Sequence, residues 1–215
     1  MKSNKRNFVI TVLLFLVFVV YTTLVMTVDL GTGLEGTPLG FSTFNKRAAE
    51  VFPYNELWYG LTEYLGYVAI GVCFGFALLG LYQLIKGKGI KAVDKKLFAL
   101  AGFYVVVVGF YAAFEAFTIN FRPVMLEEGL EASYPSSHTV LGACVFLSAV
   151  LMLEDMLDNK SLLKAILQAL FIVLALFTII GRMLSGVHWI TDIFGGVILS
   201  AALLMGFYTA KEKVR

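Results

Sequence analysis

Residues 8–28 read FVITVLLFLVFVVYTTLVMTV, a run without one charged side chain. A helix needs about 20 such residues to cross the hydrocarbon of a bilayer, so this segment alone specifies a membrane span. Lys2, Lys5 and Arg6 precede it, as they would in a secretory signal. The apolar run is too long for one, and no small-residue cleavage site follows, so the expectation is a retained signal anchor. Working outward, five further apolar segments follow at roughly Leu57–Ile85, Leu97–Ile119, His138–Leu153, Ile166–Leu184 and Ile190–Tyr208. The fourth is short as drawn, but extends to Leu157 or begins at Pro135. The expected fold is all-α, a six-transmembrane-helix bundle forming one membrane-embedded domain over residues 1–215, with no internal repeat and no low-complexity tract.

Composition points the same way. Hydrophobic residues make up 59% of the chain, charged residues 15%, and mean hydropathy is +0.84. A soluble domain carries about 25% charged residues, so a soluble reading fails. A net charge of +2 is too small to suggest nucleic acid as a partner. The expected partners are the bilayer and a lipid substrate. Cys73 and Cys144 both fall inside apolar runs and read as packing residues rather than a disulfide framework.

The basic residues set an orientation. With the N-terminus inside, Lys2, Lys5, Arg6, Lys86, Lys88, Lys91, Lys95, Lys96, Lys160, Lys164, Lys211, Lys213 and Arg215 are cytoplasmic, 13 of the 17 in the chain. Lys46, Arg47, Arg122 and Arg182 remain outside. This is a positive-inside pattern, with both termini cytoplasmic and Trp58, Tyr59, Tyr134 and Trp189 at the outer interface. The outer loop Asp29–Glu56 is turn-rich at first. Its second half then places Phe41, Phe44, Ala48 and Val51 at helical spacing. That pattern fits a short interfacial helix or an ordinary packed loop helix.

Three polar pieces converge on the outer side. They are Arg122-Pro123 after the third helix, Pro135-Ser136-Ser137-His138 at the mouth of the fourth, and Arg182 through His188 to Asp192 across the fifth and sixth. Polar groups are costly at membrane depth, so the cluster is a functional candidate. His188 and Asp192 are four apart and share a helix face. A carboxylate on one imidazole nitrogen fixes the tautomer and leaves the other a free lone pair. Arginine's planar fork suits phosphate oxygens, and a Pro-Ser-Ser-His helix start offers hydroxyl and N–H donors to an anion. Taken singly, each piece reads as a cap, a stop signal or an interface histidine. Glu63 is a further intramembrane acid near the outer side that lines the same cavity or caps a neighbouring polar group. Glu127, Glu128 and Glu131 make an acidic outer loop, unfavourable to soluble polyanions, so a lipid arriving laterally is the more natural donor.

These motifs resemble the three signatures of the phosphatidic acid phosphatase type 2 / haloperoxidase superfamily, whose usual forms are lysine-x6-Arg-Pro, Pro-Ser-Gly-His and Ser-Arg-x5-His-x3-Asp. Order, spacing and the six-helix frame all match, and the likeness is greatest to the small bacterial membrane lipid phosphatases. The resemblance implies a cofactor-free and metal-free double displacement at the extracytoplasmic face of the bacterial cytoplasmic membrane. His188 would attack phosphorus and carry a phosphohistidine, with Asp192 orienting it. His138 would protonate the leaving alkoxide and then activate water, charged where His188 is neutral. Arg122, Arg182, Ser136 and the Ser137 N–H would hold the phosphate oxygens. Undecaprenyl diphosphate, phosphatidylglycerophosphate and phosphatidic acid are the implied substrates. Transfer to a second lipid, or lipid-phosphate binding and transport without hydrolysis, are the alternatives. A zinc site built on His138, His188 and Asp192 is a third reading.

Three positions depart from the pattern. Ser137 replaces glycine, Gly181 replaces serine, and Glu115 stands where the family has lysine. Glu115 lies seven residues before Arg122, about two helical turns. The expectation is that it pairs with Arg122 or Arg182 while Lys46 or Arg47 supplies replacement charge.

Overall fold

The computed structural model describes residues 2–126, 129–157 and 161–214. Glu127 and Glu128, Lys160 and Arg215, read above as loop and terminal charges, lie outside the described residues. Six helices carry the apolar runs: α1 (Lys2–Thr27), α3 (Glu56–Lys86), α4 (Lys95–Ala116), α5 (Ser137–Met156), α6 (Leu162–Leu184) and α7 (Ile190–Lys213). Each is long and apolar enough to span a membrane. A seventh, α2 (Ser42–Val51), lies between α1 and α3 and follows a two-stranded hairpin of Gly31–Thr32 against Pro38–Leu39.

Local chemistry places the helix starts. The Asn55 side chain accepts the Trp58 N–H at 3.1 Å to open α3, and Asp94 accepts the Lys96 N–H at 2.9 Å to open α4. Ser136 and Ser161 cap α5 and α6 in the same way, satisfying first-turn donors that have no partner in the helix. The fourth span, short in the sequence reading, reaches 20 residues in the structure because Ser137 opens it and it runs to Met156. The third ends at Ala116 instead of Ile119. Beyond it the chain becomes extended and pairs with the segment ahead of α5. The Arg122 N–H donates to the Glu131 carbonyl at 3.0 Å and the Ser133 N–H to the Asn120 carbonyl at 2.9 Å.

α5 and α7 form the middle of the bundle. Within their most apolar stretches 56% of residues are buried, against 6 to 22% in the other four spans. Small residues let the helices approach closely, as lipid-embedded packing favours. A Cβ added at Gly142 of α5 would lie 2.7 Å from Thr178 Cγ2 of α6, and one at Gly196 of α7 would lie 2.9 Å from Thr139 Cγ2 of α5. The outward faces carry Phe8, Leu13, Val17, Ile70, Phe74, Val105, Leu162 and Val173, all exposed. A continuous apolar mantle of this kind suits hydrocarbon, not water.

One end of the bundle is held by ion pairs. Lys211 donates to Asp155 at 2.6 Å and to the Leu151 carbonyl at 2.9 Å. Lys96 reaches the same carboxylate at 3.3 Å, and Lys164 pairs with Glu154 at 3.0 Å. The opposite end gathers the starts of α3, α5 and α7, the end of α6 and the α4–α5 segment. α2 is pinned there by a buried polar contact rather than by its apolar stripe. Asn45 donates to the Gly40 carbonyl at 2.8 Å and to Thr191 Oγ1 at 2.9 Å, while Phe44 and Val51 stay exposed.

Candidate active site

His188 sits in the bend between α6 and α7. Its Nδ1 is 3.1 Å from the Ser133 carbonyl oxygen. A carbonyl only accepts, so Nδ1 carries the proton and Nε2 keeps its lone pair. Nε2 is buried and, among the described residues, has no hydrogen-bond partner. Burial, reinforced by the positive charges of Arg182 and Arg122, holds the imidazole well below its ordinary range, so it is neutral at pH 7.

The expected partner that fixes the His188 tautomer is Asp192, and the geometry corrects this. Asp192 Oδ2 lies 4.0 Å from His188 Nδ1, too far for a direct hydrogen bond. The carboxylate is turned instead to the Trp189 N–H at 3.0 Å and to Asn120 Nδ2 at 3.0 Å. Asp192 therefore clamps the first turn of α7 to the α4–α5 segment, while the Ser133 carbonyl orients the ring. The carboxylate remains close enough to stabilise a positive imidazole through space.

Arg182 is fully buried at the end of α6. Three residues on one face of α3 receive it. Nη1 donates to Thr62 Oγ1 at 3.1 Å, Nη2 donates to Glu63 Oε1 at 2.8 Å, and the guanidinium stands 5.4 Å from the Tyr59 ring centroid. Nη2 also donates to His138 Nδ1. An arginine has no acceptor, so His138 Nδ1 is the acceptor, and Nε2–H faces Glu63 Oε1 at 3.3 Å. With both nitrogens so used, the His138 ring is neutral. The expected charged form at 138 is not the one in this arrangement, because Arg182 occupies the nitrogen that would take the proton.

Arg122 is buried and its Nη2 pairs with Glu131 at 2.9 Å. Its Nε and Nη1, like Arg182 Nε, have no partner among the described residues. The expected pairing of Glu115 with Arg122 or Arg182 is thus replaced by Glu131 with Arg122 and Glu63 with Arg182. Glu115 itself is exposed at the end of α4, on the wall of a cavity of about 560 Å³. Arg122, Glu131, Ser137 and His138 line that cavity together with the apolar Val107, Val108, Phe110 and Phe114. Lys46 and Arg47 are exposed on α2. Ser136 is buried as the α5 cap, and its N–H donates to the Asp192 carbonyl at 3.1 Å, tying the starts of α5 and α7 together. Among the described residues no three His, Cys, Asp or Glu side chains are grouped to hold a metal ion, so His138, His188 and Asp192 do not form the three-ligand set considered above.

Sequence reasoning left Thr62, Asn120 and the Ser133 carbonyl unmentioned and could not place Glu63. Only Glu63 gave a signal, as a lone acid in an apolar run.

A multi-pass helical membrane protein with two buried arginines and two histidines at one end of its bundle is the class defined so far. The chain belongs to the PAP2 superfamily, whose family model matches residues 98–215. Its fold is similar to that of a transmembrane PAP2-type phosphatidylglycerolphosphate phosphatase from Bacillus subtilis, with a TM-score of 0.67 and 18% sequence identity over 95% of this chain and 97% of that one. No curated protein sequence matches the chain.

Proposed function

We propose that the protein is an integral membrane phosphatase that removes phosphate from a lipid phosphate or diphosphate through a phosphohistidine on His188. The observation that carries this reading is the buried Nε2 of a neutral His188, which has no hydrogen-bond partner among the described residues and whose other ring nitrogen is held by a backbone carbonyl. A buried polar atom without a partner needs an explanation, and a nucleophile awaiting its electrophile is one. Free N–H groups on Arg122 and Arg182 add donors for an anion.

The chemistry runs in two displacements. Nε2 attacks phosphorus as the phosphorus–oxygen bond to the lipid breaks. His138, once protonated, gives its proton to the leaving alkoxide. Water then attacks the phosphohistidine, His138 takes a proton from that water, and phosphate leaves. The arginines stabilise the equatorial oxygens, since positioning and charge supply most of phosphoryl-transfer catalysis. Asp192 stabilises the positive ring at His188.

The cavity supports a lipid as the substrate class. Its apolar lining suits a hydrocarbon chain, and Ile70, Val108 and Tyr111 of that lining are among the exposed residues. A lipid could therefore enter sideways. The excess of Lys and Arg at the far end supports placing the site on the extracytoplasmic face of a bacterial cytoplasmic membrane.

The test is phosphate release by the purified protein from phosphatidic acid, phosphatidylglycerophosphate and undecaprenyl diphosphate, run beside His188→Ala. Release from at least one lipid is expected, with turnover reduced by about a thousandfold or more in the variant, in which the nucleophile is gone. Retained lipid binding without release by the unsubstituted protein would favour a non-hydrolysing role.

A further inference from the structure

Glu63 belongs to none of the three sequence signatures, yet it touches two of the groups that the proposed phosphatase reading needs. Its Oε1 accepts from Arg182 Nη2 at 2.8 Å and faces His138 Nε2 at 3.3 Å. We infer that this carboxylate is an internal stand-in for the substrate's phosphate, seated on Arg182 in the empty protein and displaced when the phosphoryl group binds. This rests on the phosphatase reading and adds a specificity-determining residue to it.

The inference starts from the arginine. A guanidinium at 0% exposure cannot be left without a counter-charge. Glu63 supplies it. Thr62, one residue earlier, takes one N–H of Nη1, and Nε has no partner among the described residues. Of the five N–H groups of Arg182, the one on Nε and the second on Nη1 are left over, but they lie on different edges of the guanidinium, and each edge that could clamp a phosphoryl group bidentately also needs an Nη2–H, both of which are taken by Glu63 and His138. Either the phosphate goes without the fork of Arg182, or Glu63 gives up Nη2.

Electrostatics favours the second outcome. A phosphate oxygen on Arg182 would stand within a few ångströms of the Glu63 carboxylate, and like charges so close repel strongly. Glu63 can leave. Its side chain is 32% exposed, whereas Arg182 is fixed by burial and by the Tyr59 ring. Departure also frees His138. Nε2 loses its acceptor, and Nδ1 loses the Arg182 N–H once a phosphate oxygen accepts it. The ring can then take up the proton it must deliver to the leaving group. The same competition works in reverse after hydrolysis, because the returning carboxylate helps to expel product phosphate.

The test is the affinity of the purified full-length protein for inorganic phosphate, measured by titration calorimetry, for the unsubstituted chain and for Glu63→Gln. With the competing charge removed, phosphate should bind about tenfold more tightly, the factor that one charge-assisted hydrogen bond commands. The KM for the best lipid phosphate should fall in parallel, and inorganic phosphate should become a stronger product inhibitor. Unchanged or weaker phosphate binding together with lost kcat would overturn the inference, since Glu63 would then only aim Arg182 and His138. Because the variant strips a buried arginine of its counter-charge and can fail to fold, a second measurement uses the unsubstituted protein. In its structure with inorganic phosphate bound, Glu63 should have left Arg182. Phosphate seated on Arg182 with Glu63 still bonded to Nη2 would overturn the inference. Tighter phosphate binding by Glu63→Gln in a protein that hydrolyses no lipid would keep this inference and sink the phosphatase reading.

Discussion

Gly181→Ser would restore the residue that the superfamily signature has before Arg182, and the structure says that this restoration is harmful here. A Cβ built on Gly181 lies 2.6 Å from Thr62 Cγ2 and 3.5 Å from the Trp58 ring. Thr62 is fully buried and holds three oxygen contacts. Its hydroxyl lies 2.9 Å from the carbonyls of both Trp58 and Tyr59, and it accepts from Arg182 Nη1 at 3.1 Å. It cannot yield without releasing the arginine. Forcing one extra group into such packing costs about 1–3 kcal/mol, and a lost hydrogen bond to a charged partner costs about 1.5–3 kcal/mol. Taking the lower half of each range, about 3 kcal/mol of stability is at stake, and the part that reaches turnover, the weakened hold on Arg182 at about 1.5–2 kcal/mol, should lower kcat/KM by about tenfold or more. Thr62 and the family serine are alternatives for one position in space. Gly181→Ser combined with Thr62→Ala should therefore recover most of the loss, with a coupling of about 1–3 kcal/mol. Phosphate release and thermal unfolding in detergent, measured on both singles and the double, give the cycle. Activity of Gly181→Ser within threefold of the unsubstituted protein would refute the reasoning, as would a double variant whose losses simply multiply.

Two further outcomes follow from other parts of the structure. Burial and neighbouring arginines lower the pKa of His188, so its neutral form persists as pH falls and is lost only when pH drops through the lowered value. The acid limb of kcat/KM should therefore lie below the ordinary histidine value of 6.5, and a pH–rate profile with that limb at or above it would contradict the placement of His188. At the far end of the bundle, Asp155→Asn leaves Lys211, only 3% exposed, without its carboxylate. This should lower stability by about 3 kcal/mol while leaving KM unchanged, as read by thermal unfolding and lipid-phosphate kinetics.

The spans were legible because hydrocarbon imposes one strong constraint on sequence, an unbroken apolar run of sufficient length. The meeting of His138, Arg182 and His188 at one end was legible too, since alternating helices send every second connection to the same side. The partners of the arginines were not. Glu115 looked eligible because it is close to Arg122 in sequence, but α4 stops at Ala116 and the chain turns back, which brings Glu131 to Arg122 instead. Glu63 meets Arg182 across 119 positions of sequence, through the packing of α3 on α6. The hydrogen-bond acceptor that orients His188 is a backbone carbonyl, at Ser133, and carbonyls leave no mark in a sequence. The four-residue spacing from His188 to Asp192 fits both a histidine partner and a first-turn helix acid. The structure gives it mainly the second job, through Trp189 and Asn120.

The most direct measurement of the central claim is chemical trapping. The purified protein is mixed with lipid phosphate carrying labelled phosphorus and quenched in alkali during turnover. Label should remain on the protein, survive alkali, leave in acid, map to the peptide containing His188 and be absent from His188→Ala. Sustained phosphate release with no such adduct, or an adduct elsewhere in the chain, would contradict a nucleophilic His188.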